Sequence, residues 1–115
     1  MIRKADQMIA ELCPNMRGGT GTVTIEKMFL PEEMTANSRL CARLTLPPGA
    51  SIGSHQHLKE DEVYVITQGC GILDDGQCET LVSVGDAVLT GNGESHSIRN
   101  DGDAPLEITA VIMCY

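Results

Sequence analysis

From Ser38 to Leu46 every second side chain repeats one character: Leu40, Ala42, Leu44 and Leu46 fall on one side of an extended chain, and Arg39, Cys41, Arg43 and Thr45 on the other. Successive side chains of a strand point to opposite faces, so this period of two predicts a half-buried strand with its leucine row toward a core. The same alternation runs through Glu62-Val63-Tyr64-Val65-Ile66, placing Glu62, Tyr64 and Ile66 on one face and Val63 and Val65 on the other. The β-branched run Thr22 to Leu30 and the long apolar run Leu106 to Cys114 read as further strands. Shorter ones flank the hairpin turn Asp74-Asp75-Gly76, from Cys70 to Leu73 and from Gln77 to Val82, and two more are Ala87 to Thr90 and His96 to Asn100. Turn signals thus recur about every 8 to 12 residues, the interval expected of an all-β barrel or sandwich.

The first dozen residues break the pattern. Met8, Ile9 and Leu12 recur at three-to-four spacing before Pro14, which predicts one short N-terminal helix between Lys4 and Leu12. Gly18-Gly19-Thr20-Gly21 follows; with no G-K-[ST] and no helix start behind it, this segment reads as a turn or subunit contact rather than a phosphate loop. No linker, low-complexity tract or internal repeat divides the chain, and its 115 residues form a single domain, 1–115.

Charge and composition narrow the partners. A net charge of -8 repels phosphate backbones and anionic membranes, and three aromatic residues leave no platform for stacking bases, so nucleic acid is excluded as a partner. No run of about 18 apolar residues offers a membrane span. The start Met1-Ile2-Arg3-Lys4 leads into no signal-peptide core, and a cytoplasmic protein is expected. Five cysteines, odd in number and without a C-x-x-C pair, are expected to be reduced and structural. Exposed sheet edges and the glycine-rich segment predict a homodimer.

All three histidines lie in two short segments. His55 and His57, two apart in an extended chain, project to the same side; Glu62 opens the next alternating run, and His96 follows a glycine-rich turn. Three imidazoles and one carboxylate make a mixed nitrogen and oxygen donor set for one divalent ion, Mn, Fe, Ni, Cu or Zn, with positions left open for water or substrate.

The surrounding spacing is specific. Gly49 precedes His55-Gln56-His57 by five residues, Glu62 follows after four and Gly69 after six. Gly85, Gly91-Asn92-Gly93, His96 and Asn100 form a second set with intervals of five, two and three. Together they resemble the two motifs of the cupin family, with Gly91 where the family pattern has proline. That exchange is expected to loosen the turn before His96. The resemblance implies a double-stranded β-helix, the cupin jelly-roll barrel, over nearly the whole chain, and a metal held by His55, His57, Glu62 and His96.

The resemblance is strongest to small single-domain cupins of the oxalate-decarboxylase type. It implies an enzyme acting on a small oxygenated acid by decarboxylase or dioxygenase chemistry. A non-catalytic metal- or metabolite-sensing cupin is the alternative, and a sugar isomerase or epimerase a third, disfavoured by the scarcity of aromatics. Glu94, two residues before His96, is the candidate general acid, against its reading as a solvated loop carboxylate. Glu60 and Asp61 are weaker candidates. Tyr64, on the Glu62 face, is the second catalytic candidate, donating its hydroxyl to a bound oxyanion or else filling the core. Arg39, Arg43 and Arg99 fall opposite the inward rows and are expected at the surface, and Asn100 is expected to serve a turn.

Overall fold

A computed structural model describes residues 1–115 as ten strands and three single turns of 3₁₀ helix. The strands are β1 (Ile9–Pro14), β2 (Thr22–Lys27), β3 (Ser38–Leu46), β4 (Ser51–Gln56), β5 (Glu60–Gln68), β6 (Cys70–Asp74), β7 (Glu79–Ser83), β8 (Ala87–Gly91), β9 (Ser95–Arg99) and β10 (Leu106–Cys114). They form a six-stranded sheet in the order β1-β2-β3-β10-β5-β8 and a four-stranded sheet in the order β4-β9-β6-β7, all pairings antiparallel. This is the all-β jelly roll that the alternation and the motifs predict.

The predicted inward rows are the rows that pack. β3, β10 and β5 run side by side with Leu44 opposite Ile108 and Ile108 opposite Ile66, each about fully buried, so three aliphatic side chains form one layer of the core. Ile52, Leu73 and Ile98 close on them from the smaller sheet. Asn100 is buried at the end of β9 and secures the following turn: its amide donates to the carbonyls of Leu46 (2.9 Å) and Ala104 (2.8 Å), and its side-chain oxygen accepts from Gly102 N–H (3.0 Å).

The N-terminal helix is not there. Ala5–Gln7 makes one 3₁₀ turn, and Ile9–Pro14 is strand β1, paired with β2 so that Glu11 lies opposite Ile25 and Cys13 opposite Val23. A lone helix of this length is marginal in water, whereas the open edge of β2 offers a row of backbone partners. The helical spacing buried nothing: Ile9 and Leu12 are both exposed. No helix in the fold is long and apolar enough to cross a membrane.

Candidate metal centre

The histidine pair reaches the barrel interior through an irregularity in β4. Ile52 pairs with Ile98 and His55 with His96, so β4 spends one residue more than β9 over this stretch. The extra residue sits in a β-bulge at Gly53-Ser54. Counted by twos from the buried Ile52, the inward positions would be Ser54 and Gln56; the bulge resets the phase and turns His55 and His57 inward instead.

Four donor atoms then converge. Nε2 of His57 and Nε2 of His96 lie 3.0 and 2.9 Å from Glu62 Oε1, and His55 Nε2 lies 3.8 Å from it. The Nε2 atom of His96 is 3.1 Å from that of His57 and 3.1 Å from that of His55. His57, His96 and Glu62 are buried. Each imidazole commits its other nitrogen elsewhere: Nδ1 of His55 donates to the Gly53 carbonyl (2.8 Å), Nδ1 of His57 to Glu60 Oε1 (2.7 Å), and Nδ1 of His96 lies 2.8 Å from the Thr90 hydroxyl. A carbonyl and a carboxylate can only accept, so His55 and His57 face the centre with bare Nε2 lone pairs; the Thr90 hydroxyl accepting from Nδ1 leaves His96 the same way. Glu62 Oε1 is buried without a hydrogen-bond partner. Four acceptors with no proton between them are what a divalent cation satisfies, and the residues fit that group.

The charges agree with this. Burial, the largest influence, raises the Glu62 carboxyl, and protons on the facing imidazoles of His55, His96 and His57 would hold it down to about 2, so with those lone pairs bare a cation has to take the place of the protons. Burial is also the largest influence on His96 and lowers it below the usual imidazole range, which keeps its ring neutral and its lone pair free.

Behind the donors stands a second layer of contacts. Arg39 grips Glu60 with two hydrogen bonds of 2.7 Å, and mainly for that reason the Glu60 carboxyl is held down to about 2. Glu60 in turn orients His57. The turn Gly91 to Glu94 is bound to the same histidine: His57 N–H donates to the Glu94 carbonyl (3.0 Å), and Gly93 N–H to the His57 carbonyl (2.9 Å). Gly91 closes β8 at the start of this turn. It is buried, and a Cβ there would run into the Asp61 carboxylate, so glycine at this position permits close packing of β8 on β5.

A cavity of about 250 Å³ opens beside the cluster. His55, His57, Glu62 and Tyr64 line it with an apolar wall of Met16, Ile25, Leu40, Leu44 and Ile112. Tyr64 is buried, with its ring stacked on His96 at 5.0 Å between centroids. Burial and the Glu62 carboxylate push its hydroxyl well above the ordinary tyrosine range, so it remains protonated. Glu94 is exposed and does not line the cavity. Arg43 is paired with Glu26 and Glu107, and Arg99 with Glu79, away from the cluster. Arg39, expected at the surface, reaches the cavity wall as well as Glu60. The five cysteines are free and none lines the cavity. Sequence reasoning missed the supporting roles of Thr90, Glu60, Arg39 and the Gly53 carbonyl. Only Glu60 had a legible signal, since it stands two residues before Glu62 and shares its inward face.

The sequence profile of the cupin domain matches residues 42–112, which contain all four converging side chains. The chain belongs to the cupin family. This cupin is 41% identical over 113 residues to an oxalate-binding protein of Thermotoga maritima, covering 98% of its own length and 93% of the relative's. A crystal structure described as a predicted oxalate decarboxylase from Thermotoga maritima superposes with a TM-score of 0.96 at 40% identity, over 100% of both chains. The polyketide cyclase RemF from Streptomyces resistomycificus superposes with a TM-score of 0.79 at 16% identity, over 99% of this cupin and 80% of that chain, a likeness of fold alone.

Proposed function

We propose that this cupin holds one divalent ion, Mn, Fe, Ni or Zn, on Nε2 of His55, His57 and His96 and a carboxylate oxygen of Glu62. Beside it the cavity takes a small oxygenated acid of the oxalate type, for turnover of the decarboxylase or dioxygenase kind. The observation that carries this reading is the buried Glu62 oxygen without a partner, facing three imidazole nitrogens at one end of a cavity. Bound there, such an ion would polarise the oxygens of an acid and fix its orientation. The chain's own residues supply the rest. Tyr64, kept protonated, offers a hydrogen bond to an oxygen of the acid, and the apolar wall of Leu40, Leu44 and Ile112 limits water around it. Arg39 and Glu60 keep the His57 ring in its donating orientation.

A binding protein without turnover is the second reading, favoured by the description of the 41% identical relative as oxalate-binding. Metal analysis and calorimetry separate the possibilities. Wild type is expected to carry one ion per chain and to bind oxalate only when loaded, and His57→Ala to lose stoichiometric metal; full metal content in that variant would sink the assignment. Carbon dioxide release or oxygen uptake by loaded protein supports the enzyme, and tight binding with neither supports the binding protein.

A further inference from the structure

Four of the five arginines are committed to carboxylates through paired contacts: Arg3 to Glu33, Arg39 to Glu60, Arg43 to Glu26 and Arg99 to Glu79. In a chain with 16 acidic side chains and 8 basic ones, an arginine left over is the exception. Arg17 is that exception, with neither an ion pair nor a side-chain hydrogen bond, and it stands at the mouth of the metal-centre cavity. The other two cations on that wall are taken: Arg39 by Glu60, and Lys27 by Glu11 at 3.4 Å.

The backbone around Arg17 is built to put it there. Arg17 has φ 53° and ψ 32°, a left-handed conformation that a residue with a Cβ rarely holds unless its surroundings impose it. Gly53 leaves the room for this turn. A Cβ at position 53 would lie 2.1 Å from the Arg17 carbonyl oxygen, so the turn rests directly on the backbone of β4, at the bulge whose carbonyl orients His55. Arg17 and Tyr64, whose ring is stacked on His96, line the same cavity.

We propose that Arg17 binds the anionic end of the ligand that points away from the four converging donors, making the site selective for dicarboxylates. The inference rests on the carboxylate-binding reading above and adds its second point of recognition. A guanidinium with no internal partner offers a two-pronged contact to a carboxylate, and an acid with one charge leaves that contact to water.

The test compares oxalate with oxamate, its monoamide, which keeps the shape and loses one charge. Calorimetry on metal-loaded protein gives the ratio of the two affinities in wild type, Arg17→Gln and Arg17→Lys. Arg17→Gln is expected to keep its metal and to lower the oxalate-to-oxamate ratio by about 10- to 100-fold, with partial recovery in Arg17→Lys. An unchanged ratio overturns the proposal. Should the glutamine variant fail to fold or load, phenylglyoxal on loaded wild type with peptide mass spectrometry decides instead. Arg17, the arginine without a partner, is expected to react fastest and to be protected by oxalate. Modification of Arg17 at the same rate under saturating oxalate overturns the proposal equally. Loaded wild type that binds no oxalate at all would sink the carboxylate reading itself, a result distinct from either.

Discussion

Four residues separate the two ends of the barrel along each of its central strands. At the closed end, where only Leu44 of the three also reaches the cavity wall, Leu44, Ile108 and Ile66 meet in register across β3, β10 and β5; at the open end the same strands present Leu40, Ile112 and Glu62. Between them stand Ala42, Ala110 and Tyr64, where two small side chains leave room beside one large ring. Alternation alone decides that all nine positions face inward. What differs is the chemistry placed on a common scaffold. One end gains from removing apolar surface from water, and the other holds a buried carboxylate against imidazole lone pairs, an arrangement that opposes folding until a cation joins it.

The largest effect should come from the closed end. Ile108→Ala leaves a cavity in a fully buried layer, and is expected to lower unfolding stability by about 2–5 kcal/mol. Urea denaturation measures it, with metal stoichiometry as in wild type; if this substitution emptied the metal site as well, the two ends would not be separable. Glu60→Gln acts at the open end. Exchanging the charged acceptor that orients His57 for a neutral amide should weaken metal affinity by about 10- to 100-fold, read by competition with a chelator.

The same substitution sets a pH dependence. The Glu60 carboxyl has an ordinary value of 4.5 and is held to about 2 in the fold, chiefly by Arg39. A depressed acid contributes stability that is fully present above the ordinary value and lost as pH falls toward the folded one. Wild type should therefore lose stability between about pH 4.5 and 2 more steeply than Glu60→Gln. Parallel acid limbs would show that the Arg39 pair contributes nothing. The smallest effect is expected at Glu94, whose exposed side chain lies off the cavity wall: Glu94→Gln should change stability by less than about 0.5 kcal/mol and leave metal and turnover in place. A large loss of turnover with metal retained would restore the proton-transfer role that its position before His96 suggests.

These expectations trace which features a linear sequence can carry. The inward rows of β3 and β5 were legible because a period of two is a local property, and the donor set was legible because its spacing is. The N-terminal strand was not, since its spacing fits a helix and only the distant edge of β2 makes it a strand. Nor was the phase of the histidine pair relative to Ile52, which depends on a bulge set by pairing with β9. Thr90 and Arg39 lie on other strands than the histidine and the carboxylate they serve, and nothing in their own neighbourhoods marks them. Arg17 stayed hidden for a different reason: its distinction is to lack a partner that every other arginine has, and pairing is visible only in three dimensions.

Gly53 changes how a survey of this protein by alanine replacement would have to be interpreted. Such a survey takes each loss of function as the subtraction of a contact. At Gly53 the replacement adds atoms, driving a methyl group into the carbonyl of Arg17 and shifting the backbone that orients His55. A residue with no side chain would then score among those that hold the ligand, because what it contributes is an empty volume.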